Sequence, residues 1–228
     1  MVVNTGANNN TAIGHNALAI NNGSGNTAVG RNALQANTSG TTNTALGVNA
    51  LSNVSLGSNN IGLGNNAQVP NLTGSNQVRV GNTNITYAGI QVSWTVTSDR
   101  IWKKEIRTLP YGLNMLNKLR PVDYIRKNDN SNTREMGFIA QELEEVITTL
   151  GYEDQGFLTK DDEGRLSVRY NDFIALLTKS VQEQQEQIKS QEQEIAELKE
   201  KLSQYDSLNK RLHNLENRLN AQAMVDKN

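Results

Sequence analysis

The chain has 228 residues, a formal net charge of −1 and no cysteine. Such a balanced charge gives no global field that would favour nucleic acid or an anionic membrane, and the missing thiols exclude a disulfide framework and a thiolate metal site. The two histidines, His15 and His213, lie far apart in the sequence, so we expect neither a metal site nor a cofactor.

No segment approaches the roughly 20 consecutive apolar residues of a transmembrane helix, and we expect no membrane insertion. The first residues, MVVNTGANNN, have neither the basic region nor the apolar core of a signal peptide. Synthesis in the cytoplasm without a signal peptide is therefore the expectation.

Charged residues are distributed very unevenly along the chain. Residues 1–97 contain two charged side chains, Arg31 and Arg79, together with 21 Asn and 13 Gly, and all other charged residues follow them. This composition predicts two different structural regimes joined near residue 97. The first regime lacks a basic element that could read DNA, so nucleic acid is not an expected partner.

The first regime is an internal repeat of 16 or 17 residues. The units NTAIGHNALA, NTAVGRNALQ and NTALGVNALS are followed by the degenerate NIGLGNNAQV and the atypical QVRVGNTNIT. Units this short cannot each bury a core and must stack, as the coils of a solenoid do. Asn, Gly and Thr are weak helix formers, so short β-segments are favoured. Their centres are the recurring apolar positions Ile13, Val29, Leu46, Leu63 and Val80.

The alternative for residues 1–97 is a disordered Asn-rich tract, but sequence drift in such a tract would not keep one apolar register in every unit. The unit resembles the head repeats of trimeric autotransporter adhesins and the fibre repeats of phage tail proteins. A single stack of coils encloses little apolar area. We therefore expect an obligate oligomer, a trimer.

The end of the chain predicts one long helix from Tyr170 to about Asn220, without Pro or Gly. Apolar residues alternate three- and four-residue steps from Ile174 to Tyr205, with Gln184 and Gln191 in the same seam, which is a coiled-coil pattern. A second seam, offset by three residues, contains Leu208, Leu212, Leu215 and Leu219. The number and direction of the helices in the coiled coil stay open.

The middle of the chain predicts a small α+β domain. A short amphipathic helix carries Leu113, Leu116 and Leu119 and is stopped by Pro121. VDYIRK alternates like a strand, MGFIAQELEEVI is a strand followed by a helix, and KDDEGRLSVRY is a turn followed by a strand.

Four motifs of this region, SDRIWKKEI, YGLNMLNKLRPVDY, GFIAQELEEV and YNDFIALLTKSVQEQQ, closely resemble the endosialidase-type intramolecular chaperone domain. The resemblance covers about residues 97–200. It implies a module that trimerises the β-rich fibre preceding it and then cuts itself free. It also implies a Ser–Lys dyad, which falls on Ser98 and Lys103. Ile101 and Trp102 depart from the Arg and Leu that the family often has there.

The chemistry of such a dyad is demanding. A serine hydroxyl needs a general base, and a lysine serves as one only when desolvation or neighbouring cations depress its pKa from about 10.4. Ile101 and Trp102 are expected to provide dry surroundings, and Asp99 to orient the backbone or pair with Arg100. The implied supporting residues Gln141 and Glu142 either donate to the developing oxyanion or cap and pair locally.

These observations combine into a mixed fold. We expect a β-solenoid shaft over 1–97, an α+β chaperone and self-cleaving domain over 98–170 and a coiled-coil helix over 171–228, assembled as a homotrimer. The expected function is that of the C-terminal region of a viral tail fibre or tailspike, made in the host cytoplasm and carried on the virion, that cuts itself beside Ser98. The cut bond, Thr97–Ser98 or Ser98–Asp99, stays open.

A host-surface glycan or protein is a possible partner of the shaft. The alternative function is a non-cleaving trimeric fibre or adhesin, in which the same domain stays attached as a permanent cap.

Overall fold

The computed structural model describes residues 7–128, 131–152 and 156–225, with side chains up to residue 218. The chain forms two compact units, one containing residues up to 106 together with 119–170, the other containing 107–118 together with the residues from 171 onward. The architecture confirms the expected β-solenoid, small α+β region and long C-terminal helix. The domain boundaries at 97 and 170 stay a prediction.

Five short strands, one from each coil, form a parallel sheet in the order of the sequence. They are β1 (Thr11–Ile13), β2 (Thr27–Val29), β3 (Thr44–Leu46), β4 (Ile61–Leu63) and β5 (Val78–Val80). Equivalent repeat positions pair directly, as Ala12 with Ala28 and Ala28 with Ala45. The sheet register is therefore the repeat register of the sequence.

The core of the solenoid is built from small side chains. Most of its fully buried members are the Ala and Leu of the NAL segments and the alanines in the middle of the strands, namely Ala17, Leu18, Ala28, Ala33, Leu34, Ala45, Ala50 and Leu51, joined by Val54 and Ala67. Alternate strand residues point to opposite faces, so a buried central alanine turns both of its neighbours outward. Leu46 beside Ala45 is accordingly 53% exposed, and Ile13 and Val80 at the equivalent positions of β1 and β5 are 60% and 71% exposed, whereas Val29 and Leu63 are half-buried. The recurring apolar residue thus lies on the outer face of the sheet.

A column of buried asparagines links the coils. The side-chain Oδ1 of Asn43 accepts a hydrogen bond from the backbone N–H of Asn60 in the next coil (2.9 Å), and its Nδ2 donates to the carbonyl of Gly57 (2.8 Å). Asn26 repeats both bonds one coil earlier, with Asn43 and Gly40. Because buried polar groups are costly unless they are paired, this position requires an amide side chain.

Glycine is required where neighbouring coils approach most closely. Gly30 and Gly47 have φ angles of 131° and 136°, which L-residues with a side chain rarely adopt. A Cβ on Gly30 would lie 2.4 Å from the carbonyl oxygen of Gly47. The stacking distance of the coils therefore excludes any side chain at this point of the repeat.

The remainder of the first unit contains four strands and a helix. Antiparallel β6 (Val122–Ile125) and β7 (Arg134–Gly137) are followed by a helix over Ala140–Thr149 and then by the hairpin of β8 (Leu158–Lys160) and β9 (Leu166–Val168). The tip of this hairpin contacts the solenoid. Asp162 donates its N–H to the carbonyl of Pro70 (2.9 Å) and accepts a hydrogen bond from the N–H of Leu72 at its carboxylate (2.6 Å).

The second unit contains a one-turn helix, α1 (Leu113–Leu116), and a 53-residue helix, α3 (Phe173–Val225). The helix Ala140–Thr149 of the first unit is α2 in this numbering. The expected helix through Leu119 is wrong in its length, because α1 ends at Leu116 and buries Met115. The N–H of Leu113 donates to Glu183 Oε2 (2.8 Å), and this bond holds the pKa of the Glu183 carboxyl below its usual value.

The apolar seam of α3 is exposed to water. The exposed apolar side chains at the expected heptad positions are Ile174, Leu177, Val181, Ile188, Ile195, Leu198, Leu202 and Tyr205. Leu208, Leu212 and Leu215 of the second seam are exposed too, and the Leu219 side chain lies outside the described residues. Within the described part of the chain, none of the helices is long and apolar enough to cross a membrane.

The asparagine column gives the first prediction. Replacing Asn43 by Ala leaves the buried N–H of Asn60 and the carbonyl of Gly57 without their partner. We expect a loss of about 2–6 kcal/mol in the free energy of unfolding, from a cost of about 1–3 kcal/mol for each of the two orphaned groups. Urea unfolding of the full chain, followed by circular dichroism, measures it.

The matched control is Asn53→Ala, because Asn53 belongs to the same coil but is exposed. Its midpoint in urea should change little. Equal effects of the two substitutions would contradict a structural role of the buried amides.

Candidate active site

A single turn of 3₁₀ helix, Arg100–Trp102, organises the segment that contains Ser98. Asp99 caps this turn: its Oδ1 accepts a hydrogen bond from the N–H of Ile101 (3.0 Å). The N–H of Lys103 donates to the carbonyl of Arg100 (3.0 Å) and closes the turn. The chain is thereby folded back, so that the residues before and after the turn face each other.

This turn brings Ser98 and Lys103 together. The Lys103 Nζ lies 2.6 Å from the Ser98 Oγ, in hydrogen-bonding distance. A lysine ammonium has three donors and no acceptor, so in this form it holds the hydroxyl by donating to it. Once neutral, the same amine at the same distance is placed to take the hydroxyl proton, since general bases act over about 2.6–3.2 Å.

The surroundings of the pair are wet in the single chain. Ser98 and Lys103 are exposed, and so are Ile101 and Trp102, with 78% and 75% of their surface accessible. The dry pocket expected from Ile101 and Trp102 is therefore not formed by one copy of the chain. A serine hydroxyl is a weak nucleophile until a neighbouring base accepts its proton.

Gln141 and Glu142 lie in the first turn of α2. Glu142 pairs with Arg120 through two hydrogen bonds, one from Nε to Oε2 at 2.9 Å and one from Nη2 to Oε1. The Arg120 guanidinium holds the pKa of the Glu142 carboxyl below its usual value. Gln141 is exposed, and among the described residues no hydrogen bond joins Gln141 or Glu142 to Ser98 or Lys103.

A contact between the motifs GFIAQELEEV and YNDFIALLTKSVQEQQ explains why residue 137 is a glycine. The N–H of Phe138 donates to the Tyr170 Oη (3.1 Å), and the two rings are stacked with their centroids 6.2 Å apart. A Cβ on Gly137 would lie 2.3 Å from the same Oη. The missing side chain at residue 137 thus leaves room for the Tyr170 hydroxyl. The sequence places both residues inside motifs but gives no sign that they meet, and the same holds for Arg120 and Glu142.

Within the residues that the structure describes, no group of three or more His, Asp or Glu side chains is arranged to hold an ion. What the site offers is a hydroxyl, an amine and the backbone between them. These are the parts of an acyl-transfer reaction on a neighbouring peptide bond.

Comparison with known proteins adds a family to this geometry. Residues 98–152 match the family model described as chaperone of endosialidase, whereas no curated protein and no solved structure matches the chain. The matched segment starts at Ser98 and includes Lys103, Gln141 and Glu142. Residues 98–152 are therefore similar to the chaperone domain of endosialidase, and the family model bears the name of a peptidase.

Proposed function

We propose that the chain is the C-terminal region of a viral tail fibre or tailspike, whose chaperone domain trimerises the β-solenoid shaft and then releases itself by autoproteolysis beside Ser98. Ser98 is the nucleophile and Lys103 the general base. The observation that carries the proposal is the 2.6 Å distance between Lys103 Nζ and Ser98 Oγ, at the first residues of the matched chaperone segment.

The reaction is a single intramolecular acyl transfer followed by hydrolysis. Neutral Lys103 takes the hydroxyl proton while Ser98 Oγ adds to a neighbouring carbonyl carbon. The C–N bond breaks, the amine of the residue after the cut takes the proton from Lys103, and an ester remains on Ser98. Water then hydrolyses the ester to a carboxylate and regenerates the hydroxyl. Atoms balance for both neighbouring bonds. Attack on the Thr97 carbonyl moves the acyl group from the Ser98 nitrogen to Oγ, whereas attack on the carbonyl of Ser98 itself, which would release Asp99, closes a strained four-membered lactone.

Assembly is the condition for the first step. In one copy Lys103 is in contact with water, and so are the apolar side chains of Ile101 and Trp102 beside it. Desolvation disfavours the charged form of an amine. A second and third copy that cover Ile101 and Trp102 would remove that water and leave Lys103 free to accept a proton, so cutting would follow association.

Two exposed apolar surfaces support a homotrimer. The outer face of the sheet carries Ile13, Leu46 and Val80, and α3 carries its uncovered heptad seam. A heptad stripe of this length is stable when it packs against equivalent helices. Three solenoids that share their outer faces would likewise bury the apolar residues that a single coil leaves in water.

The rest of the proposal concerns the role of the fibre on the virion. A trimeric shaft on the virion would present its exposed surface to a host glycan or protein. A non-cleaving fibre or adhesin with a permanent cap is the competing function, and a denaturing gel of the freshly expressed chain decides between the two.

The dyad is tested by cleavage of the freshly expressed full chain on a denaturing gel. Wild type should give two fragments, separated near residue 98. Ser98→Ala should give one uncut band. Lys103→Arg should slow cutting by about 100-fold or more, because a guanidinium cannot act as a base and general-base catalysis contributes about 10²–10⁴-fold.

Lys127→Arg is the control for the lysine change, since Lys127 is an exposed lysine outside the dyad, and its two-band pattern should match wild type. A wild-type chain that stays intact as a stable trimer would favour the permanent cap over the protease.

The trimer is tested on α3 by sedimentation equilibrium of the Ser98→Ala chain, which cannot shorten itself. Ile195→Glu puts an unpaired carboxylate into the seam, and the association constant should fall by at least about 100-fold, since an uncompensated buried charge costs about 3–5 kcal/mol. Gln193→Glu, two residues away and off the seam, should leave the trimer mass unchanged. A monomeric parent chain would refute the homotrimer.

A further inference from the structure

The segment just before Ser98 has the sequence of a β-strand but no strand partner. Apolar Ile90, Val92, Trp94 and Val96 alternate with polar Gln91, Ser93, Thr95 and Thr97. Period-two alternation of β-branched and aromatic residues is typical of a strand with one buried face. Yet no residue between β5 and the 3₁₀ turn at 100 belongs to a strand.

Both the side chains and the backbone of this segment are left in water. Val92, Trp94 and Val96 are 77%, 81% and 71% exposed. In the described part of the chain, no backbone N–H or C=O from 86 to 97 forms a hydrogen bond with another residue. An apolar face and a row of free backbone groups on one segment form an unsatisfied strand edge.

The occupant that fits this edge is the same segment of another copy. The 19 residues from Val80 to Ser98 carry no charge, so identical copies meet without repulsion, and there is no charge for an unlike partner to recognise. Every copy in a parallel assembly has this segment at one level of the fibre, directly between the solenoid and the chaperone domain. Equivalent apolar residues would then face each other in register.

The area is sufficient for a specific contact. Taking about 150–250 Å² for an aromatic side chain and about half as much for each aliphatic one, the exposed face amounts to roughly 400 Å² per chain. Three copies would bury about 1,200 Å² in total, which reaches the lower end of stable interfaces, about 1,200–2,000 Å². The heptad seam of α3 adds to this contact in the assembled chains.

We infer that residues 90–96 are an assembly strand, which forms when copies of the chain associate and which sets the peptide next to Ser98 in place for cutting. The inference rests on the proposed function and names the element that would couple trimerisation to self-cleavage. Val92, Trp94 and Val96 close against their equivalents. The strand runs directly into Thr97 and Ser98, so its pairing fixes the backbone at the cut and draws water away from Lys103. These three are positioning residues, because none of them touches the reacting atoms.

The first test compares neighbouring residues on opposite faces of the strand in the full chain. Trp94→Glu places a carboxylate on the apolar face and should lower the fraction cut at a fixed time by at least about 10-fold, since burying an unpaired charge is strongly unfavourable. Ser93→Glu places the same carboxylate on the polar face, and cutting should stay within about twofold of wild type. Both residues are exposed in the single chain, so circular dichroism should be unchanged for both variants.

The second test locates the contact directly. The chain contains no cysteine, so Val92→Cys in the Ser98→Ala chain introduces a single thiol. Mild oxidation should give covalent dimers, because a disulfide needs Cα atoms about 4.4–6.8 Å apart. Ser93→Cys, which points away from the other copies, should stay uncrosslinked. Equal crosslinking of both, or of neither, overturns the strand.

The outcomes separate the inference from the proposed function. If the Ser98→Ala chain is monomeric and wild type is never cut, the proposed function fails, and the inference with it. If the chain trimerises and cuts, but Trp94→Glu behaves like Ser93→Glu, only the assembly strand is refuted. Pairing of the segment with the free edge of β5 in its own chain would give normal cutting in a monomer and no crosslink between chains, which also refutes it.

Discussion

The architecture of the first unit depends on one repeated interaction, the buried asparagine that bonds to two coils at once. Its Oδ1 accepts the first N–H of the next coil and its Nδ2 donates to a carbonyl near the end of its own coil. An amide can do both without carrying charge into the core. Because the amide occupies interior space, the apolar filling is limited to Ala, Leu and a few Val side chains. A stable stack is thus obtained with little apolar burial, and larger apolar residues such as Ile13 and Leu46 lie on the outer face.

Other parts of the chain also leave apolar side chains unburied in a single copy. The outer face of the sheet, the segment 90–96 and the seam of α3 each expose apolar side chains in a single copy. Burying such surface contributes about 25 cal/mol per Å², so covering these surfaces with other chains would favour association. The three surfaces follow one another in the sequence. A parallel trimer is an arrangement in which each of them meets its own equivalents.

Parts of this structure were predictable from the sequence and others were not. The coil register follows from where Asn and Gly recur, since Gly47 and Asn43 tolerate no replacement in geometry or hydrogen bonding. The α3 helix follows from its heptads. The outward direction of Ile13 could not be deduced, because a Thr-Ala-Ile strand has apolar residues on both faces. A spacing of five residues does not predict that Ser98 meets Lys103 either; the Asp99-capped turn produces that contact, and only the family resemblance suggested it.

The proposed cut after assembly would also have a consequence for the stability of the fibre. While the chaperone is attached, folding and association of the shaft would be one equilibrium, and a failed assembly could dissociate and begin again. Cutting beside Ser98 would remove the segment that brought the copies together, so the shaft could no longer use it to refold. From that moment its lifetime would be set by its unfolding rate rather than by its equilibrium stability. In the proposed mechanism, the water around Lys103 before the copies close would keep this irreversible step from preceding the fold that it preserves.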